Sequence, residues 1–301
     1  MHLAIGVFGD LEFFRKFGKQ GTENDLLIRN QADSGNVVTY VAPNSEKIQP
    51  VLQAAAMADY PVVVVNDITP EIGEVLMVLE ESGFENGLIV TDFHEDKIKT
   101  MIREMKISAF EIVKKDENAV REKLMKIGIK RNDSPAIVPI DSYFPVKGVG
   151  TVVLGLVKSG KVKQYDKLVC YPARKEVVVK SMQSQDKDVK ETEPGQRIGL
   201  ALKGIEADEL KRGHVFSDRE IECKKSLVIE AHKSRYSKFE LAAGKRLMVA
   251  VGLQVIGGEI TKMEGDKLTL ELDSPVAIYQ KNCVLASADV APRVIGRGEI
   301  D

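Results

Sequence analysis

Short apolar runs alternate with amphipathic helical patterns through the first 131 residues, and this alternation limits the fold more than any other feature of the chain. Leu3–Phe8 and Pro61–Val65 are apolar throughout, as expected for parallel strands that are covered on both faces. Similar runs predict strands at Asn36–Val41, Leu88–Thr91 and Phe110–Val113. Strands that alternate with helices predict a doubly wound, parallel α/β sheet.

The helices between these strands have recognisable start and stop signals. Thr69 is a candidate N-cap, Pro70 suits the first helical position, and Gly83 suits the position after the last turn. Asp10 and Asp116 are candidate N-caps of two further helices. Apolar residues at helical spacing predict the remaining two, one after Asn44–Ser45 and one that carries Ile98, Met101, Ile102 and Met105.

The pattern changes after Arg131–Pro135, a polar, proline-containing stretch that we interpret as a linker. From there to the end, short β-rich runs are separated by glycines and charged turns, which is typical of small all-β barrels or sandwiches. Val215–Ile221 is interpreted as the seam between two such modules. The predicted domains are therefore residues 1–131, 134–218 and 221–301.

Composition narrows the function only slightly. Hydrophobic residues are 44% and charged residues 29%, as in an ordinary globular protein. Residues 1–131 hold 16 Lys+Arg against 21 Asp+Glu, whereas residues 132–301 hold 27 against 24. The mildly basic rear part permits contact with a phosphate backbone without requiring it. Tryptophan is absent, so no stacking platform of the RNA-binding-sheet type is visible.

The cysteines and histidines predict neither a disulfide framework nor a metal site. Cys170, Cys223 and Cys283 are few and far apart, which suits a reducing cytoplasm. The four histidines do not stand at metal-ligand spacing. No membrane span or signal peptide is predicted, so the expected location is cytoplasmic.

One segment, Val138–Gly160, carries a specific glycine pattern. Its matching positions are Gly148, Gly150, Thr151, Val152, Gly155, Val157 and Gly160. Gly148 and Gly150 allow a tight hairpin turn, and Gly155 lets a strand bend to close a small barrel. The segment resembles the second domain of translation GTPases.

The resemblance extends to the end of the chain. Glu193–Ile205 and Lys211–Val215 are similar to the closing hairpin of that second domain, although Tyr165 stands where the family usually has a turn glycine. Asp273–Val276 and Pro292–Ile300 are similar to the third domain of elongation factor Tu and of the selenocysteine-specific elongation factor. The whole chain resembles archaeal paralogues of the selenocysteine factor, which implies a degenerate GTPase-like α/β domain followed by two small β-barrels.

The resemblance implies a P-loop GTPase in residues 1–131, but the nucleotide motifs are missing. A phosphate-binding loop ends in Gly-Lys-Ser/Thr, where lysine meets the phosphates and the hydroxyl holds Mg²⁺. Aligned from Gly6, these three positions are Leu11, Glu12 and Phe13. An acid in place of the lysine would repel the phosphates, and no hydroxyl remains for the metal.

The other two GTPase motifs are lost as well. Of the second motif, Asp-x-Pro-Gly-His, only Pro43 remains, and it is followed by Asn44. In place of Asn-Lys-x-Asp, which reads guanine, the chain has Asp92 and His94 after the strand at residues 88–91. We therefore predict a protein without GTP, Mg²⁺ or catalytic residues, and hence no enzyme.

The segment Phe17–Asp25 is the most unusual local sequence. Its Lys19, Gly21 and Thr22 suit an anion-binding turn. The alternative is an ordered loop between a helix and a strand.

Three functions remain open. The first is a GTP-independent elongation-factor-like protein that binds tRNA or the ribosome, with Arg174, Lys175, Arg293 and Arg297 as candidate RNA contacts. The second is a regulator that binds a protein partner and no RNA. The third is an active GTP-binding factor with an unconventional nucleotide site around Lys19.

Overall fold

The computed structural model describes residues 2–33, 35–129, 131 and 135–301. In the predicted linker, Asn132, Asp133 and Ser134 lie outside these described residues. An α/β domain comes first along the chain, and two β-barrels follow it.

The α/β domain is built on one sheet. Within the described ranges its strands are β1 (His2–Phe8), β2 (Lys19–Glu23), β3 (Leu26–Asp33), β4 (Asn36–Pro43), β5 (Tyr60–Val65), β6 (Leu88–Thr91) and β7 (Glu111–Val113). Their order is β2-β3-β4-β1-β5-β6-β7. The five strands β4, β1, β5, β6 and β7 are mutually parallel, which confirms the predicted parallel sheet. Strands β2 and β3 are antiparallel to their neighbours.

The two antiparallel edge strands correct the interpretation of Phe17–Asp25. β3 forms a hairpin with β4 that pairs from Leu26↔Pro43 to Asp33↔Asn36, and β2 then adds to the free edge of β3. The middle of the segment, Lys19–Glu23, is therefore a strand of the sheet and not a turn or a loop. No sequence pattern predicted this strand, because Lys19–Glu23 is almost entirely exposed and lacks an alternation of apolar and polar residues.

Helices cover both faces of this sheet. They are α1 (Leu11–Phe14), α2 (Ile48–Met57), α3 (Pro70–Glu81), α4 (Glu95–Ile102) and α5 (Glu117–Leu124). α2, α3 and α4 pack on one face, and α1 and α5 pack on the other. The predicted N-caps are confirmed, since Asp10, Thr69 and Asp116 accept the N–H groups of Phe13, Ile72 and Ala119.

The middle barrel consists of antiparallel strands. Its strands are β8 (Ile137–Val146), β9 (Gly150–Leu156), β10 (Lys167–Tyr171), β11 (Lys175–Ser184), β12 (Lys187–Val189), β13 (Arg197–Lys203) and β14 (Val215–Ser217). The order is β10-β14-β8-β9-β13-β11-β12, and pairing of β10 with β11 closes the barrel. Gly155 permits this closure because a Cβ atom there would lie 2.6 Å from the Pro139 carbonyl oxygen.

The C-terminal barrel is closed by pairing of its first and last strands. Its strands are β15 (Glu222–Lys233), β16 (Arg246–Val251), β17 (Gln254–Glu264), β18 (Lys267–Ile278), β19 (Asn282–Ala286) and β20 (Val294–Ile300). The order around the barrel is β15-β18-β17-β16-β19-β20. Leu227, Ile229, Leu268 and Leu270 fill its interior.

The C-terminal barrel shares a hydrophobic core with the α/β domain. Ala250, Leu253, Val284 and Val294 belong to the same buried cluster as the apolar faces of α2 and α3. Burial of apolar surface is the largest favourable contribution to such packing. The barrel and the helices therefore bury one continuous apolar cluster between them.

Candidate functional site

Four polar side chains follow neighbouring strands of the parallel sheet. Asp10 comes two residues after β1, Asn66 directly after β5, Asp92 directly after β6, and Lys115 two residues after β7. The carboxyl ends of parallel strands lie at one edge of a sheet, where open α/β folds bind ligands. A phosphate-binding loop would also lie at this edge, between β1 and α1.

The Asp10 carboxylate occupies the N-terminus of α1. Its Oδ1 accepts the Phe13 N–H at 2.9 Å, and its Oδ2 accepts the Lys115 ammonium at 2.7 Å and the Asn66 amide at 2.8 Å. Lys115 also donates to Asn66 Oδ1 at 2.7 Å. An internal anion therefore fills the position at which a helix N-terminus would hold a ligand phosphate.

Hydrogen bonds keep this carboxylate ionised. Burial by itself would raise the pKa of Asp10, but the bonds from Lys115, Asn66 and the Phe13 N–H outweigh it and lower the pKa to about 2. The side chain is only 12% exposed, so solvent screens the ion pair with Lys115 weakly.

The aligned P-loop positions have structural roles. Phe13 is buried and meets the Phe17 ring edge-on at 5.2 Å, and Phe17 stacks on Tyr40 at 5.0 Å. Glu12 is exposed and pairs with Arg15. The core thus occupies the position at which the metal-binding hydroxyl stands in a P-loop.

The remaining P-loop positions are equally structural. Leu11 is the first residue of α1 and packs at the margin of the same core. Gly6 lies inside β1, where a Cβ atom would come within 2.9 Å of Ala58 Cβ. These glycine and leucine positions therefore serve packing.

The residues of the second and third lost motifs are separated in the structure. Pro43 ends β4, and Asn44 bonds to the loop before β3 through the carbonyls of Asn24 and Asp25, both at 2.9 Å. Asp92 accepts the Lys115 backbone N–H at 3.3 Å, and it thereby joins the edge that holds Asp10. His94 stands at the start of α4 and meets the Phe93 ring at 5.0 Å.

Lys19, Gly21 and Thr22 all lie on β2. Thr22 Oγ1 accepts a hydrogen bond from Arg197 of the middle barrel at 3.1 Å. Gly21 packs against β3, where a Cβ atom would lie 3.0 Å from the Ile28 carbonyl oxygen. Strand β2 therefore connects the sheet to the middle barrel.

The four predicted RNA-contacting residues each have an intramolecular partner. Arg293 pairs with Glu74 of α3, and Arg297 Nη1 lies 3.1 Å from Glu81 Oε2 at the end of the same helix. Lys175 pairs with Glu209 at 2.6 Å, and Arg174 lies beside the Cys223 thiol. Contact of these residues with RNA stays a prediction.

Two further arginines hold the middle barrel against the α/β domain, and sequence reasoning did not single them out. The Arg212 guanidinium donates hydrogen bonds to both Asp25 carboxylate oxygens, at 2.7 and 2.8 Å, and to the Gln53 side-chain oxygen on α2 at 3.0 Å. The hydrogen bond from Arg212 is the main reason why the pKa of Asp25 is lowered. Arg197 forms a buried pair with Asp141 and extends to β2. No capping residue or apolar periodicity in the sequence indicated that either arginine would contact the α/β domain.

A groove of about 640 Å³ lies between β2 and the outer face of the middle barrel. Its wall includes Lys19, Phe144, Gln183 and Arg197. Phe144 is 41% exposed, which is unusual for an aromatic side chain on a barrel strand. The groove therefore combines an apolar ring with one exposed lysine, since the charge of Arg197 is paired with Asp141.

Among the described residues, no group of three or more His, Cys, Asp or Glu side chains is placed to hold a metal ion. Across the same residues, no helix is long and apolar enough to cross a bilayer.

Comparison with known proteins agrees with this architecture. The model of elongation factor Tu domain 2 matches residues 150–217, and that of the initiation factor eIF2 gamma C terminal matches residues 220–300. The uncharacterized protein MJ0325 of Methanocaldococcus jannaschii is 35% identical over 307 residues, with 99% of each chain covered.

Two further matches come from selenocysteine factors. The selenocysteine-specific elongation factor of Methanocaldococcus jannaschii is 31% identical over 160 residues, which span 52% of this chain and 34% of that protein. The crystal structure of translation elongation factor SelB from Methanococcus maripaludis with the GTP analogue GppNHp superposes with a TM-score of 0.82. At 20% identity, over 100% of this chain and 79% of that one, this superposition shows a shared fold. The chain therefore belongs to the same family as the Methanocaldococcus jannaschii protein MJ0325, and it is an elongation-factor-like protein related to the selenocysteine-specific elongation factor.

Proposed function

We propose that this chain acts in translation by binding tRNA or the ribosome, and that it neither binds nor hydrolyses GTP. The observation that carries the second part is the Asp10 carboxylate at the N-terminus of α1, bonded to Lys115 and Asn66. A nucleotide phosphate placed there would meet a charged carboxylate in a weakly screened position. Glu12, which aligns with the P-loop lysine, adds a second negative charge.

The contacts between domains support a protein without a nucleotide switch. In the family that the chain resembles, GTP controls the placement of the domains. Here the α/β domain is joined to the C-terminal barrel by Arg293–Glu74 and to the middle barrel by Arg212–Asp25. These pairs need no ligand, so the arrangement is expected to persist without nucleotide.

A nucleotide titration tests the loss of GTP binding. We expect no saturable heat when GTP, GDP or ATP is added with Mg²⁺ to the purified chain in a calorimeter. The midpoint of thermal unfolding should also stay unchanged at millimolar GTP, since a ligand that binds only the native state raises it. Micromolar or tighter binding of a guanine nucleotide would favour the third function instead, a GTP-binding factor with an unconventional site.

The groove beside β2 is the best-supported place for the end of an RNA chain. It places the exposed Lys19 beside the exposed ring of Phe144, and Arg197, which is paired with Asp141, forms part of its wall. Aromatic rings stack on bases and cations neutralise phosphates, which is the common chemistry of single-strand binding. In the family that the chain resembles, the second domain holds the aminoacyl end of tRNA.

Replacing Phe144 by alanine tests this groove. We expect the affinity for unfractionated tRNA in a filter-binding assay to fall about fivefold, because one stacking surface is lost. Tyr236→Ala is the matched control, since Tyr236 is exposed to a similar extent, 40%, but lies on the C-terminal barrel. Arg293 and Arg297 are poor test sites because their removal would also disturb the contact with α3.

The regulator that binds only protein predicts a different result. The wild-type chain would then bind tRNA no better than random RNA, and Phe144→Ala would change nothing. A pulldown would recover a protein partner that resists nuclease treatment.

A further inference from the structure

Tyr165 combines an unfavourable backbone with an unused side chain. Its φ of +74° lies in the left-handed region, where glycine is the usual residue. Its side chain is 72% exposed, the largest value among the exposed large apolar residues of the described chain. The fold thus gains no packing from a ring that it places on a strained backbone. Strain of this kind is most often retained at functional positions.

The turn around Tyr165 is held on both sides. The Tyr165 N–H donates to the Val179 carbonyl at 2.8 Å, and the Val179 N–H donates to the Asp166 carbonyl at 3.0 Å. The Gln164 amide donates to the Lys180 carbonyl at 2.9 Å. The ring therefore projects from a fixed support, and a side chain with two rotatable torsions loses little freedom when it binds.

Two lysines with exposed side chains flank this turn, Lys163 and Lys190. Lys163 is two residues before the ring, and its side chain is 64% exposed. Lys190 is exposed, and its backbone lies at the turn because the Gln164 backbone N–H donates to its carbonyl at 3.0 Å. The Lys180 ammonium is already bonded to the Val149 carbonyl. The carboxylate of Glu191 lies 3.9 Å from the Lys163 ammonium, too long for a hydrogen bond, so this cation remains available.

We propose that Tyr165 is a stacking platform for an unpaired RNA base, with Lys163 and Lys190 contacting the neighbouring phosphates. A flat exposed ring beside two lysines suits single-stranded nucleic acid, in which bases are free to stack. The site rests on the proposed RNA-binding function and adds a second contact to it, since Tyr165 is not part of the groove wall.

Two substitutions of Tyr165 test the platform. Tyr165→Gly removes the ring and relieves the backbone, so we expect unchanged or slightly higher thermal stability but about tenfold weaker binding of a 12-nucleotide single-stranded RNA. Tyr165→Trp keeps a larger ring and creates the only tryptophan of the chain. Its emission should be quenched as that RNA is added, and a duplex of the same sequence should quench it less.

The controls separate this site from the groove. Lys163→Gln should weaken RNA binding at low salt. The slope of the logarithm of the RNA association constant against the logarithm of the salt concentration should fall by about the amount expected for one lost phosphate contact. Equal RNA affinity of wild type and Tyr165→Gly, with Phe144→Ala still weakened, would overturn the platform and leave the groove. A wild-type chain that binds no RNA would overturn the proposed function and this site together. A protein partner lost only with Tyr165→Gly, without RNA binding, would also refute it.

Discussion

Replacing Arg293 by alanine is expected to lower the free energy of unfolding by about 3 kcal/mol, because it leaves the Glu74 carboxylate buried without its partner. The guanidinium bonds to both Glu74 oxygens, and it also donates to the Glu46 carbonyl at 2.6 Å. The Glu74 side chain is only 10% exposed and lies between α3 and the C-terminal barrel. Urea denaturation measures the loss, and small-angle scattering should show a larger radius of gyration.

A control pair lies on the same barrel. Arg246 forms a two-bond pair with Asp273, but both side chains are more than half exposed, so Arg246→Ala should leave the urea midpoint unchanged. The double variant Arg293→Met with Glu74→Met should recover most of the stability, because apolar residues of similar size tolerate burial. If Arg293→Ala unfolds at the wild-type urea concentration with unchanged scattering, this ion pair does not hold the domains.

Replacing Asp10 by asparagine is expected to remove about 2 kcal/mol of stability at neutral pH. Asparagine still caps a helix, but it cannot form the ion pair with Lys115. The folded pKa of Asp10 is about 2, below the ordinary value of 3.8. A carboxylate with a lowered pKa stabilises the folded chain fully above its unfolded pKa, and this contribution is lost as the pH falls through about 2. The difference between wild type and Asp10→Asn should therefore shrink between about pH 4 and pH 2.

Urea denaturation at several pH values measures this change. Asp116→Asn is the matched control, because Asp116 caps α5 through the Ala119 N–H in the same way. We expect this variant to match wild type at every pH. A difference between wild type and Asp10→Asn that stays constant down to pH 2 would show that Lys115 does not stabilise the Asp10 carboxylate.

Together the two substitutions test two parts of the proposal that the chain works without a nucleotide. Asp10 concerns the edge where a phosphate would bind, and Arg293 concerns the domain contact that needs no nucleotide. If both effects are found, the chain contains internal replacements for the ligand and for its control of domain placement. Stable packing of this kind would leave the groove and the Tyr165 turn constantly presented to a partner.

Much of the fold follows from local patterns. Fully apolar runs such as Pro61–Val65, the cap at Thr69 and the glycines around residues 148–155 predicted strands, helices and a barrel that the structure contains. Those signals are local because they reflect burial on both faces, capping bonds and backbone freedom. The loss of the three nucleotide motifs is also visible in the sequence.

The sequence alone determined the order of the α/β domain and the two barrels, and it showed that Leu11, Glu12 and Phe13 stand where a P-loop has Gly-Lys-Ser/Thr. Only the tertiary structure decided that Lys19–Glu23 forms a strand, that Asp10 meets Lys115, and that Arg293 meets Glu74. These outcomes depend on contacts between residues up to 219 positions apart, and an exposed strand or a charged side chain carries no local signal of its partner. Whether a charged side chain is exposed or forms a buried ion pair between two domains depends on how the whole chain packs.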